Sequence, residues 1–182
     1  MHKYLPNLVI FLDQYNNQIF ENNNINIGVI YRNYNDTKRE TELIKIAKAC
    51  KKKRYKLFVS NDIKLALKVR ADGIYIPSFN KTKRFLNLEK KNLIILGSAH
   101  NQKEIWEKIS QKCRAIFLSP IFYAEKSINF LNVYKFNSLS RSNKVNILIP
   151  PKPLICSNLS LRTLCSVIPP NARIVALLER DK

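Results

Sequence analysis

Leu57-Phe58-Val59-Ser60-Asn61-Asp62-Ile63-Lys64-Leu65-Ala66-Leu67-Lys68-Val69-Arg70-Ala71-Asp72-Gly73-Ile74-Tyr75-Ile76 reads as a strand, a short helix and a second strand. The run at 57–59 is continuously apolar rather than alternating, the pattern of a strand covered on both faces of a parallel sheet. Asp62 is a residue type that caps helix N-termini, and Leu65, Ala66 and Val69 follow it at helical spacing. The apolar run 73–76 then supplies the next strand, so the stretch is one β/α unit closed by a parallel partner.

The same unit repeats outward in both directions. Further apolar runs lie at 8–12, 27–31, 93–96, 115–118 and 145–149, giving seven in all. Thr37 and Glu40 form a capping box ahead of Leu43, Ile44, Ala47 and Cys50, and Asn101 with Glu104 repeats the device ahead of a stripe made of Ile105, Ile109 and Cys113. Seven strands alternating with helices suit either a small (β/α)8 TIM-type barrel or a doubly wound sheet. Periodicity alone does not separate the two. No glycine-rich phosphate loop follows any run, and the chain holds only three glycines, which argues against a dinucleotide or P-loop fold and favours the barrel.

The texture changes after Ile149. Five of the eight prolines, Pro150, Pro151, Pro153, Pro169 and Pro170, fall beyond it, and Pro150-Pro151-Lys152-Pro153 favours an extended path. We therefore read residues 1–149 as the barrel through its seventh strand and 150–182 as an atypical proline-rich tail with a short last strand at 173–178, so that the barrel is incomplete or irregular after strand seven. Two explanations of the tail stand side by side: divergence of the chain, or a shift of reading frame near codon 146.

Composition narrows the function classes. The apolar run 8–12 is too short for a signal-peptide core and no run reaches membrane-spanning length, so a cytoplasmic protein with no membrane contact is expected. Cys50, Cys113, Cys156 and Cys165 form no C-x-x-C pair and have no neighbouring histidine, so they are expected as reduced, buried thiols rather than metal ligands. The formal charge of +19 suggests a polyanion partner. The lysines are, however, scattered among asparagine and isoleucine, and the densest run, Lys51-Lys52-Lys53-Arg54, ends a predicted helix, where cations suit the macrodipole. With no basic-aromatic platform or helix-turn-helix pattern, nucleic acid is the lesser reading. An open barrel would leave strand edges exposed, so association into a homo-oligomer is a physical expectation.

Barrels of this kind place their chemistry on the loops after each strand. Those loops read Arg32-Asn33-Tyr34, Ser60-Asn61-Asp62, Pro77-Ser78-Phe79-Asn80, Gly97-Ser98-Ala99-His100 and Ser119-Pro120-Ile121-Phe122. Singly, Asp62 and Asn101 are explained as helix caps, Arg32 as a surface ion pair and His100 as a rim histidine. Together they describe a polar site. An arginine with helix N-termini suits phosphate, and one carboxylate beside phosphate oxygens suits Mg²⁺.

These segments, in this order, resemble the thiamine phosphate synthase and thiazole tautomerase family of small barrels. The resemblance runs from about Ile27 to Arg141 and is carried by 57–62 with 65–67 and 71–73, then by 95–101 and 118–122. It implies a transferase that joins a hydroxymethylpyrimidine diphosphate to a thiazole phosphate with release of pyrophosphate, through a cation-like pyrimidine intermediate, with Mg²⁺ on the leaving group. Its partners would be small phosphorylated molecules. By position, the resemblance puts Arg32 on the diphosphate, Asn61 and Asp62 in the family's Asn-Asp pair with Asp62 a magnesium ligand, and Ser98 near the pyrimidine. Lys126 lies about one position from the family lysine. In the tautomerase branch His100 would be the acid/base, and a non-catalytic thiazole-phosphate binder is a further alternative.

The chain also departs from that pattern. The family's Q-L-R-x-K is Ile30, Tyr31, Arg32, Asn33 and Tyr34 here, without the lysine; its second magnesium aspartate falls at Asn80; and its preceding histidine and glycine are Tyr75 and Pro77. The glycine pair that cradles the second phosphate is replaced by Pro150-Pro151, which have no N–H to donate. The resemblance therefore implies a diphosphate half-site kept more fully than the thiazole-phosphate half, and a transferase that is impaired.

Overall fold

The computed structural model describes residues 4–21, 26–34, 38–120, 130–148 and 173–176. Strand β1 (Leu8–Leu12), helix α1 (Asn17–Glu21), β2 (Ile27–Tyr31), α2 (Arg39–Lys53), β3 (Lys56–Ser60), α3 (Ile63–Lys68), β4 (Gly73–Ile76), a 3₁₀ segment (Leu86–Lys91), β5 (Ile94–Ala99), α4 (Gln102–Ser110), β6 (Ala115–Leu118), α5 (Asn132–Ser142), β7 (Asn146–Leu148) and β8 (Arg173–Ala176) follow one another along the chain. Strands β1 to β7 pair in parallel in chain order, and β8 joins the far side of β1 antiparallel, with Leu8 opposite Ala176 and Phe11 opposite Arg173.

The sheet curls strongly. In a flat sheet β1 and β6 would lie about 24 Å apart at the usual strand spacing, yet the rings of Phe11 on β1 and Phe117 on β6 meet at 5.6 Å between centroids. Seven parallel strands thus form a curled, incomplete barrel with helices between them, as the sequence predicts. Strand β8 at Arg173–Ala176 runs antiparallel on β1 and does not close the barrel from β7 in the parallel sense. Strand β7 carries the pairing across residue 146 to Leu148, where the frame-shift reading would begin. Pro150-Pro151 and the rest of the tail lie outside the described residues.

Alternation along each strand divides the core. Val9, Phe11, Ile30, Phe58, Tyr75, Leu96, Phe117 and Leu148 fill the inside of the curl, while their neighbours Ile10, Val29, Val59, Ile74 and Ile95 pack outward against Leu43, Ile46, Cys50, Ala66 and Ile105 of the helices. Gly73 is required by this packing, because a Cβ there would sit 2.1 Å from the backbone oxygen of Ile94. The helix stripes differ in detail from the expectation. On α2, Ile46 takes the fully buried place beside Leu43 and Cys50, and Ile44 is only partly buried. The N-cap of α2 is Lys38 with no side-chain capping bond; Thr37 lies outside the described residues. On α4, Ile109 is 39% exposed and Lys108 is buried. Helix α4 turns through Lys108 because Gly97 on β5 leaves room for its methylenes, a Cβ at Gly97 falling 3.0 Å from Lys108 Cδ. Cys50 and Cys113 are buried free thiols, and burial pushes the Cys113 thiol up to about 12. No described helix is long and apolar enough to cross a membrane.

Candidate active site at the strand ends

The inner face of the curl ends in an aromatic floor. Phe11, Tyr75 and Phe117 touch pairwise, with centroids 5.4 to 6.0 Å apart. Burial pushes the Tyr75 phenol up to about 12, opposed by its hydrogen bond with Ser98. Two residues beyond the inward-facing Ile30, Arg32 continues the same parity. Its guanidinium lies 5.6 Å from the Phe11 ring centroid, and its Nε is 3.8 Å from Asp13 Oδ1 at the end of β1. Ser98 stands two residues beyond Leu96 and is buried. Arg32 and Ser98 therefore both flank the aromatic floor.

A second group gathers after β3. Asn61 takes a left-handed backbone (φ 60°), a conformation asparagine tolerates, and donates its N–H to Tyr75 O at 2.9 Å. The turn places Asp62 as N-cap of α3, with Oδ1 accepting from Leu65 N at 3.0 Å. Asp62 Oδ2 faces Arg39 Nη1 at 3.5 Å. Arg39 Nη2 donates to Ser60 O at 2.7 Å, and the Tyr34 hydroxyl hydrogen-bonds Ser60 Oγ at 2.6 Å. Asn80 completes the group. Its amide donates to Asn61 Oδ1, and its own Oδ1 accepts from Thr82 N and Thr82 Oγ1, both at 2.9 Å.

His100 sits apart, on the exposed side of β5. Its Nδ1 lies against the carbonyl of Ser119, an acceptor only, so Nδ1 carries the proton. Nε2 is then an acceptor in the neutral ring, receiving the Ser78 hydroxyl at 3.1 Å.

Against known families, the profile described as thiamine monophosphate synthase matches residues 22–150, well over half of the chain. The chain belongs to that family. Among solved structures it is similar to the thiamine phosphate pyrophosphorylase from Pyrococcus furiosus, with 17% identity and a TM-score of 0.56. That match covers 72% of this chain and 64% of the Pyrococcus chain, less than two thirds of the neighbour's length. At this identity the likeness is one of fold. No curated protein matches.

The thiamine monophosphate synthase fold thus brings Arg32, Asn61, Asp62, Asn80 and Ser98 to one end of consecutive strands β2 to β5, with His100 at its outer rim. Lys126 lies outside the described residues. Four residues that sequence reasoning did not single out take part. Asp13 pairs with Arg32, Arg39 bridges Asp62 and Ser60, and Lys108 with Gln111 braces the loop that carries Asn80. Lys108 Nζ donates to Pro77 O at 2.8 Å, Asn80 O at 2.7 Å and Gln111 Oε1 at 3.0 Å. Gln111 Nε2 in turn donates to Asn80 O and Thr82 O. Desolvation lowers the Lys108 pKa below its usual value. Burial likewise raises the Tyr34 pKa, partly offset by the Ser60 hydrogen bond.

No group of three or more His, Cys, Asp or Glu side chains that could cage a metal occurs among the described residues. A magnesium ion that keeps water and phosphate oxygens in its shell does not need one. Asp62 fits that demand, since among the described residues its Oδ2 is engaged only by the long contact with Arg39, and its side chain is 30% exposed. Asn80 fits less well, because its Oδ1 already accepts twice from Thr82.

Proposed function

We propose that the chain is a thiamine phosphate synthase-type transferase that binds a hydroxymethylpyrimidine diphosphate and passes the pyrimidine to a thiazole phosphate, releasing pyrophosphate, with the second half of the site weakened. The observation that carries this reading is the gathering of Arg32, Asn61, Asp62 and Ser98 at the same end of β2, β3 and β5, in a chain whose family match spans residues 22–150.

The reaction is driven by stabilising a departing diphosphate and the positive pyrimidine fragment it leaves behind. Arg32 has a planar donor fork that is steadied by the Phe11 ring and held only loosely by Asp13, so it is available to a phosphate oxygen. Asn61 and Asp62 meet the other end of the diphosphate, where Mg²⁺ would be held by Asp62. The metal would supply charge neutralisation on the leaving group. The buried cluster of Phe11, Tyr75 and Phe117 would form an apolar wall beneath the pyrimidine. Ser98, beside Tyr75 on β5, would hydrogen-bond the ring's polar edge. Lys126 would add a further cation.

The test is calorimetric titration of the folded chain with the pyrimidine diphosphate, with and without Mg²⁺, followed by a condensation assay with thiazole phosphate. Mg²⁺-dependent binding with slow or absent condensation is the expected result. If well-folded protein shows no binding in either condition, the enzymatic reading is withdrawn. A basic nucleic-acid module gains no support from either comparison.

A further inference from the structure

Arg39 is a rim cation that the reading above leaves unused. Arg39 projects from the first turn of α2 across the ends of β2 and β3, where three observations meet. Its Nη2 is anchored on Ser60 O at 2.7 Å and its guanidinium lies 5.9 Å from the Tyr34 ring centroid, so the group is held in place. Its contact with Asp62 is 3.5 Å, longer than the usual charge-assisted bond, and neither side chain is fully buried. Its Nε is buried and has no acceptor among the described residues. An arginine has five N–H donors, so this one is fixed but far from saturated.

Charge points the same way. Arg32 and Arg39 are each matched to one aspartate, Asp13 and Asp62, through loose contacts, and Arg84 Nη2 reaches Asn61 O at 3.4 Å on the same rim. Adding a polyanion satisfies this arrangement, and adding a bare divalent cation does not, because Asp62 would have to leave Arg39 with no counter-charge.

We propose that Arg39 is a second diphosphate-binding residue, paired with Asp62 as the structure shows and exchanged onto a phosphate oxygen when the magnesium-bound diphosphate arrives and Asp62 turns to the metal. The proposal rests on the transferase reading and assigns it a residue. The exchange makes metal and diphosphate binding mutually dependent, since each releases the partner the other needs.

Inorganic pyrophosphate is the probe, titrated calorimetrically into the full chain. Without Mg²⁺, Asp62 competes with pyrophosphate for Arg39. Asp62→Asn, which keeps a good N-cap for α3, should then bind pyrophosphate about tenfold more tightly than wild type, while Arg39→Gln binds it at least about tenfold more weakly and Arg39→Lys falls between. With Mg²⁺ the order of Asp62→Asn and wild type should reverse. A purely structural Arg39 would lower the thermal midpoint of Arg39→Gln and leave its pyrophosphate affinity unchanged. That result, or no gain in Asp62→Asn, overturns the proposal. If Arg39→Gln does not fold, Arg39→Lys and Asp62→Asn carry the comparison. Wild-type protein that binds no pyrophosphate even with Mg²⁺ would remove the transferase reading itself, whereas wild-type binding that Arg39→Gln preserves removes only the role of Arg39.

Discussion

Replacing Lys108 with methionine isolates the brace beneath the Asn80 loop. The side chain is 0% exposed and its ammonium makes three hydrogen bonds, to Pro77 O, Asn80 O and Gln111 Oε1. Each bond from a charged donor is worth about 1.5–3 kcal/mol, but removing a buried ammonium recovers a desolvation cost of several kcal/mol. The net effect is therefore set by the acceptors that the substitution strands. Asn80 O keeps Gln111 Nε2 at 2.9 Å and Pro77 O keeps Asn80 N at 3.1 Å, whereas Gln111 Oε1 loses its Lys108 donor. One stranded buried acceptor costs about 1–3 kcal/mol, so Lys108→Met should lose about 2 kcal/mol in urea denaturation near neutral pH. The pH dependence gives a second readout. Desolvation holds the folded pKa of Lys108 below the 10.5 of the unfolded chain. Between those two values the unfolded state binds more protons, so wild-type stability gains as pH rises through the window, a gain the methionine variant lacks. The deficit should widen as pH approaches 10.5, and the tyrosines cancel in the difference. A loss below about 0.5 kcal/mol, or a deficit that shrinks with rising pH, would refute the reasoning.

Two further outcomes separate packing from binding. Arg32→Ala removes a third-exposed guanidinium with a loose 3.8 Å ion pair, so stability should change by less than about 1 kcal/mol while Mg²⁺-dependent pyrophosphate affinity falls at least about tenfold; unchanged affinity would take Arg32 out of the site. Gly73→Ala sets a Cβ 2.1 Å from the Ile94 backbone oxygen, whereas Gly97→Ala meets Cys113 Sγ at 2.8 Å and the Lys108 chain at 3.0 Å. Side chains yield more readily than a strand, so urea midpoints should show about 3 kcal/mol or more lost at Gly73 and about 1–2 at Gly97, and the reverse order would contradict the packing.

Much of the barrel was legible because burial on both faces writes itself into consecutive apolar residues. The 57–76 stretch fixed strand β3, the cap at Asp62 and strand β4, and Asp62 Oδ1 does accept from Leu65 N as an N-cap should. Asn101 likewise caps α4 through Glu104 N at 2.9 Å, although Glu104 returns its carboxylate to His100 N rather than to Asn101 N. The misses are long-range. Lys108 shares a face with Ile105, three residues earlier, but a lysine on that face reads as solvated until Gly97, eleven positions back in the chain, is known to lie beneath it. Arg39 reads as an ordinary first-turn cation. Its use depends on Ser60 and Asp62, more than twenty residues away, which only the pairing of β2 with β3 brings alongside.

That same pairing supports the proposal that the two halves of the site have different fates. Arg32, Asn61, Asp62 and Asn80 follow β2, β3 and β4 and Ser98 lies near the end of β5, strands that each have a parallel neighbour on both sides, so their ends are positioned by two ladders. The Pro150-Pro151 position follows β7, a three-residue strand that ends the described sheet order and pairs there with β6 alone. Substitution at such an edge disturbs few ladder bonds, whereas a comparable change after β3 would unseat Asn61, whose N–H is held by Tyr75 O across the β3–β4 pair. On the proposed transferase reading, a chain without the glycines after β7 would still hold the groups proposed for the diphosphate in the middle of the sheet. This ordering of structural support makes pyrophosphate binding, rather than turnover, the sensitive measurement on this protein.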